Sequence, residues 1–127
     1  MHTPADTRDI ITRLIDAYNR KDERDLGALY HPEITYWSSL GDEHHGKAAV
    51  LDHVRTLFRE LPDERMRALT IVTDGDTTVV EFESTGRAPG GGSYTFGFTE
   101  VIEVKAGLLA GFKVYLDPDE VAAAMKA

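Results

Sequence analysis

Tyr94-Thr95-Phe96-Gly97-Phe98-Thr99-Glu100-Val101-Ile102-Glu103-Val104 alternates with a period of two. Successive side chains of a strand point to opposite faces, so Tyr94, Phe96, Phe98, Glu100, Ile102 and Val104 share one face. Glu100 is the only charge on that face. A run this regular predicts a long strand with one side on the core. A carboxylate there loses hydration and its pKa tends to rise. A general acid or base working near neutral pH needs such a shift. The other reading places Glu100 at the sheet rim, paired with an arginine or lysine, because structural ion pairs also perturb pKa values.

Strands flank this stretch on both sides. Residues 77–87 alternate Val80, Phe82 and Ser84 against Glu81 and Glu83, and the turn Asp74-Gly75-Asp76 joins them to a strand over 66–73. The glutamates on the opposite face point to solvent or to a neighbouring subunit. Pro89-Gly90-Gly91-Gly92 reads as a hairpin turn, since it lacks the strand-to-helix setting of a phosphate loop. After Lys105-Ala106-Gly107, the residues Leu108, Ala110, Phe112, Val114 and Leu116 alternate in a last strand. Asp117 as N-cap, Pro118 at the first helical position and Glu120 two residues on open a short closing helix over 121–125.

The N-terminal half follows the helical period instead. Thr3 as N-cap and Pro4 start a helix whose Ile11, Leu14, Ile15 and Tyr18 face the core. A short helix over 22–30 turns Leu26, Leu29 and Tyr30 inward, and Ile34 to Ser38 reads as a strand with Ile34, Tyr36 and Ser38 on one face. Gly46 opens a third helix with the stripe Val50, Val54, Leu57, Phe58 and Leu61, ended by Pro62. His53 lies on the apolar side of that helix. Helices first and strands afterwards make an α+β pattern: a cone-shaped, curved antiparallel sheet packed on N-terminal helices and enclosing an apolar pocket.

The chain has 127 residues, which fits a single domain over 1–127. Its net charge of -8 carries no basic patch, which argues against nucleic acid and anionic membrane as partners. It has no cysteine, so disulfides, thiolate metal sites and a cysteine nucleophile are excluded. A polar start without an apolar signal core points to the cytoplasm. His44-His45 invites a metal reading, but adjacent residues on an extended segment point opposite ways and no third ligand stands at useful spacing. The pair is expected on a solvated loop, and no metal or cofactor is expected.

Several segments, in order, resemble the nuclear transport factor 2-like superfamily. They are Tyr18-Asn19-Arg20-Lys21-Asp22, Leu29-Tyr30-His31-Pro32-Glu33-Ile34, Gly46-Lys47-Ala48-Ala49-Val50, Asp74-Gly75-Asp76 and Tyr115-Leu116-Asp117. The relevant branches are the SnoaL-like polyketide cyclases, ketosteroid isomerase and limonene epoxide hydrolase. Carried over by position, the ketosteroid isomerase base falls on Ser38, its helix-one tyrosine on Leu14, and its second oxyanion-hole acid on Glu100. The epoxide hydrolase tyrosine and asparagine that hold water fall on Tyr36 and Ser38. Its Asp-Arg-Asp array is lost, with Val114 and Phe82 at two of the positions. The resemblance implies the fold and neither standard reaction.

The expected site is therefore an apolar pocket with a few polar groups. Glu100, Tyr36 and His53 are the candidate catalytic groups. Leu14, Tyr18, Ser38, Val54, Leu57, Val80, Phe82, Ser84, Phe98, Phe112, Val114 and Leu116 are the candidate walls. The expected function is a cofactor-independent isomerase, cyclase or hydrolase of a small, mostly apolar oxygenated molecule, in a homodimer. The alternative is a non-catalytic ligand-binding or dimerisation module.

Overall fold

Asn19 does more than end the first helix. Its side-chain amide donates to Met66 O at 2.9 Å and accepts from Met66 N at 2.8 Å, as a neighbouring strand would. That exchange docks helix on sheet. The computed structural model describes residues 4–127, so the proposed cap at Thr3 lies outside the described residues. Among these the order is α1 (Pro4–Asn19), α2 (Glu23–Leu29), β1 (Tyr30–Ser38), β2 (Glu43–His45), α3 (Lys47–Glu60), β3 (Arg65–Asp74), β4 (Thr77–Arg87), β5 (Ser93–Lys105), β6 (Leu108–Tyr115) and α4 (Pro118–Met125).

One six-stranded sheet runs β2-β1-β6-β5-β4-β3. The expected antiparallel pairing holds from β3 through β6, but β1 joins β6 in parallel. A parallel contact is possible there because β1 and β6 are joined by a long connection through β2, α3 and β3 to β5 rather than by a hairpin. β1 starts at Tyr30, earlier than the pattern suggested, and its pairing is irregular between Tyr30 and Thr35, where Pro32 lacks a donor. A bulge between Glu103 and Val104 also shifts the phase of β6, so Leu109 is fully buried and Leu108 is not.

The helices cover one face of the sheet. Ile10, Ile11, Leu14, Ala17 and Tyr18 of α1 and Val50 and Val54 of α3 join Val80, Phe82, Ile102 and Phe112 of the sheet in the main core. A smaller core holds Leu61, Ala88, Tyr94, Phe96 and Ala124, and Phe98 and Leu116 pack against both. Gly46, which precedes α3, has φ +91, a conformation that favours glycine, and its N–H reaches Ile34 O at 2.7 Å. Asp117 caps α4 by accepting from the N–H groups of Asp119 and Glu120. Among the described residues no helix is long and apolar enough to cross a membrane.

Candidate active site

The inner face of β5 is tightly buried at Tyr94, Phe96, Ile102 and Val104, but Phe98 and Glu100 between them keep some accessible surface. They keep it because a cavity of about 580 Å³ opens there between the two cores. That size suits a small ligand. Leu14 and Tyr18 of α1, Val54 and Leu57 of α3, and Phe112 and Val114 of β6 form its walls, with Ser38, Phe98 and Leu116. Leu40, Met66, Pro89, Phe96 and the α4 residues Val121 and Met125 also line it and were not anticipated.

Val80, Phe82 and Ser84, expected in the wall, do not line the cavity. All are fully buried. α1 packs against β4 and covers that part of the inner face. Phe82 stacks beneath Phe98 with ring centroids 5.2 Å apart. Ser84 acts from behind the wall, donating to Oε2 of the lining residue Glu64 at 2.7 Å.

Glu100, Tyr36 and His53 all line the cavity, from three different elements. Glu100 sits between Val80 and Val114 in the sheet, and Val114 in turn pairs with Ser38. Its carboxyl makes no hydrogen bond or ion pair among the described residues. Burial, with a smaller contribution from the Glu64 charge, pushes its pKa from 4.5 to about 8. The alternative reading, a pairing with a lysine or arginine at the sheet rim, has no counterpart among the ion pairs of the described residues. Burial, reinforced by the Glu100 charge, likewise raises the pKa of the Tyr36 hydroxyl well above its ordinary value.

Tyr36 and His53 meet with ring centroids 4.5 Å apart. His44 stacks on His53 at 4.5 Å and 28°. The solvated loop expected for His44-His45 is instead the short strand β2, paired with β1 through Thr35↔His45 and Tyr36↔His44. That pairing turns His44 inward and leaves His45 outside, bonded to Glu43. Burial, then the His44 charge, lowers the His53 pKa. The Nε2 atoms of both rings are buried without a protein partner. Among the described residues no cluster of three or more histidine or carboxylate groups is arranged to hold a metal.

Sequence reasoning missed Glu64. It lies in the Leu61-Pro62-Asp63-Glu64 loop, which reads as polar punctuation between a helix and a strand. It is nonetheless 7% exposed and lines the cavity. Tyr30, Asp42 and Glu60 were missed too. The lining residues thus include Asp42, Glu60, Glu64 and Glu100 but no lysine or arginine among the described residues. Ser38 accepts Leu40 N–H at 2.9 Å, which leaves its own proton for the cavity.

Residues 11–112 match the SnoaL-like domain family. The chain belongs to that family. Solved structures share the SnoaL-like fold across nearly the whole chain. A candidate SnoaL-like polyketide cyclase from Jannaschia is 16% identical, with a TM-score of 0.88 over 100% of this chain and 97% of that one. A nuclear transport factor 2-like protein of unknown function from Burkholderia pseudomallei is 20% identical, with a TM-score of 0.86 over 96% and 98%. A candidate polyketide cyclase from Sinorhizobium meliloti is 24% identical, with a TM-score of 0.74 over 84% and 93%. At these identities the likeness is one of fold. No functionally curated protein matches the chain.

Proposed function

We propose that this SnoaL-like protein is a cofactor-independent enzyme that isomerises, cyclises or hydrolyses a small, mostly apolar oxygenated molecule by acid–base chemistry. The observation that carries the reading is Glu100: a carboxyl on the wall of an apolar cavity, without a cationic partner, with its pKa pushed to about 8. Such a group keeps its proton at neutral pH and gives it to a substrate oxygen. The Tyr36 hydroxyl, held protonated, is a second donor to the same kind of oxygen. His53, whose lowered pKa keeps the ring neutral, accepts a proton from water or from an acidic carbon. The proton that Glu100 gives up is thereby returned through the substrate or solvent, and no redox partner is needed.

The lining also bears on the charge of the substrate. Four carboxyl side chains and no lysine or arginine among the described residues disfavour an anion, so a neutral ketone, lactone or epoxide suits the cavity better than a carboxylate or phosphate. Two structural neighbours named as candidate polyketide cyclases are consistent with that chemistry.

The test is a panel of small apolar ketones, lactones and epoxides, assayed for binding and turnover with the unaltered protein and Glu100→Gln. Glutamine keeps the shape and removes the titrating proton. Binding is expected to survive while turnover falls by orders of magnitude. Binding without turnover in the unaltered protein, across the panel, would favour the non-catalytic binding module.

A further inference from the structure

The proposed chemistry leaves one end of the cavity unused. Across β4 and β5, Glu100 pairs with Val80, Phe98 with Phe82 and Phe96 with Ser84. Ser84 therefore stands two inward-facing positions beyond Val80, roughly 13 Å along the strand. Glu64 reaches the cavity beside Ser84, bonded to it at 2.7 Å. Tyr36 stands on the opposite side of Glu100, since its partner Phe112 pairs with Ile102. The cavity thus has two polar ends, with Phe98 on the wall between them.

The Glu64 end is built around an anion. Glu64 is 7% exposed and lines the cavity. Tyr18 donates to its Oε1 at 2.5 Å and Ser84 to its Oε2. The Tyr94 hydroxyl lies 3.2 Å from Ser84 Oγ and supports the serine. Donors on both oxygens suit the ionised carboxylate, which only accepts, and they fill two of its roughly four lone-pair positions. Buried charges are as a rule paired. Glu64 makes no ion pair among the described residues. The Lys21 ammonium donates to the Glu64 backbone carbonyl instead, lies 5.2 Å from the Tyr18 and Phe58 ring centroids and does not line the cavity. Arg65 is exposed. The wall beside the carboxylate is aromatic and apolar: Tyr18, Phe96 and Met66, the last two paired with Ser84 from either side.

An anion with open acceptor positions among aromatic rings recognises an organic cation. We propose that the Glu64 end of the cavity is a recognition subsite for a protonated amine, so that the substrate carries its reacting oxygen at Glu100 and an ammonium group at the far end. The ammonium N–H donates to the Glu64 carboxylate, and its alkyl groups lie against Tyr18, Phe96 and Met66. A neutral hydroxyl would fill the same acceptors but leave the buried charge without a counter-ion. The inference deepens the proposed function and rests on the cavity being the substrate site.

The test measures calorimetric binding of three probes of similar shape at neutral pH. They are dimethyl(phenethyl)amine, which is protonated, the neutral dimethyl(phenethyl)carbinol and the anionic phenylbutyrate. The ammonium is expected to bind at least ~10-fold more tightly than the carbinol, and phenylbutyrate not at all. Glu64→Gln should abolish that preference and keep carbinol binding, whereas Glu100→Gln should retain the preference. In the unaltered protein, isotope-edited NMR should show the N-methyl protons against Met66 and Phe96. Equal affinities, a preference that survives Glu64→Gln, or N-methyl contacts with Tyr36 and His53 instead would overturn the subsite. The contacts need no variant, so they decide the matter even if Glu64→Gln folds poorly. No arm measures turnover, which separates the two readings. A protein that prefers the ammonium but turns over no substrate would leave the subsite standing and overturn the enzyme reading. Turnover that is lost in Glu100→Gln, in a protein with no preference for the ammonium, would overturn the subsite alone.

Discussion

The imidazoles of His44 and His53 stack with centroids 4.5 Å apart, clasping the edge strand β2 to α3. The clasp is made of titratable groups, and the folded state lowers the pKa of His53. In the unfolded chain His53 takes its proton at about pH 6.5. As pH falls, the unfolded state therefore binds the proton first, and stability drops from about pH 6.5 down through the lower folded pKa. Stability from this source is fully present above about pH 6.5. His53→Phe, which keeps a ring against Tyr36, should flatten the decline, read as thermal midpoints between about pH 7 and about pH 5. Parallel curves for the two proteins would show that the histidine pair does not sense pH.

Tyr18→Phe removes the hydroxyl that reaches Glu64 at 2.5 Å and leaves a buried carboxylate one donor short. The expected loss is about 1–3 kcal/mol. Urea unfolding should show a lower midpoint at unchanged slope. An unchanged midpoint would mean that water replaces the phenol without cost.

These two networks differ in how far the sequence announced them. The period-two runs of β4 and β5 placed Glu100 on the inner face, because burial on one face of a strand writes itself directly into alternation. The stripes of α1 and α3 placed Leu14, Tyr18, His53, Val54 and Leu57 in the same way. Val80 and Phe82 were placed on the right face but not behind α1, since periodicity gives the face and not what covers it. Glu64 and His44 were illegible for another reason. Each sits in a short polar segment with no period, and its burial follows only from long-range pairing: Glu64 with Tyr18 and Ser84, His44 with His53.

Asp117 caps α4, accepting from Asp119 N at 2.9 Å and Glu120 N at 3.3 Å. The helix carries Val121 and Met125 onto the cavity and is further held by Glu120, which accepts from Gly97 N at 3.0 Å. Asp117→Ala should cost about 1 kcal/mol. Amide exchange over 121–125 should quicken, while β4 and β5 keep their protection. Uniform quickening throughout the chain would instead mean that α4 does not open independently.

The outer face of the sheet carries Trp37 at 39% exposure, Val79 at 39% and Tyr115 at 46%, with the Trp37 and Tyr115 rings 5.3 Å apart. We expect two copies to pair through this face, since exposed aromatic groups of this kind anchor interfaces. Sedimentation equilibrium at micromolar concentration should give a dimer, and Trp37→Lys should shift it toward monomer. A monomeric unaltered protein would refute the pairing.

Central to the proposed chemistry is a Glu100 carboxyl that holds its proton at neutral pH. Its folded pKa of about 8 stands above the ordinary value of 4.5. Below 4.5 the group is neutral in both states and its contribution to stability is fully present. As pH rises from there to about 8, the unfolded chain ionises while the folded protein resists, and stability is lost. The loss is on the order of a few kcal/mol. The most direct measurement is unfolding free energy against pH for the unaltered protein and Glu100→Gln. Near-equal stabilities at low pH, with the variant pulling ahead by several degrees in Tm as pH passes neutrality, are the expected result. A variant that is less stable at neutral pH, with the same pH dependence as the unaltered protein, would contradict it and make Glu100 an ionised structural partner.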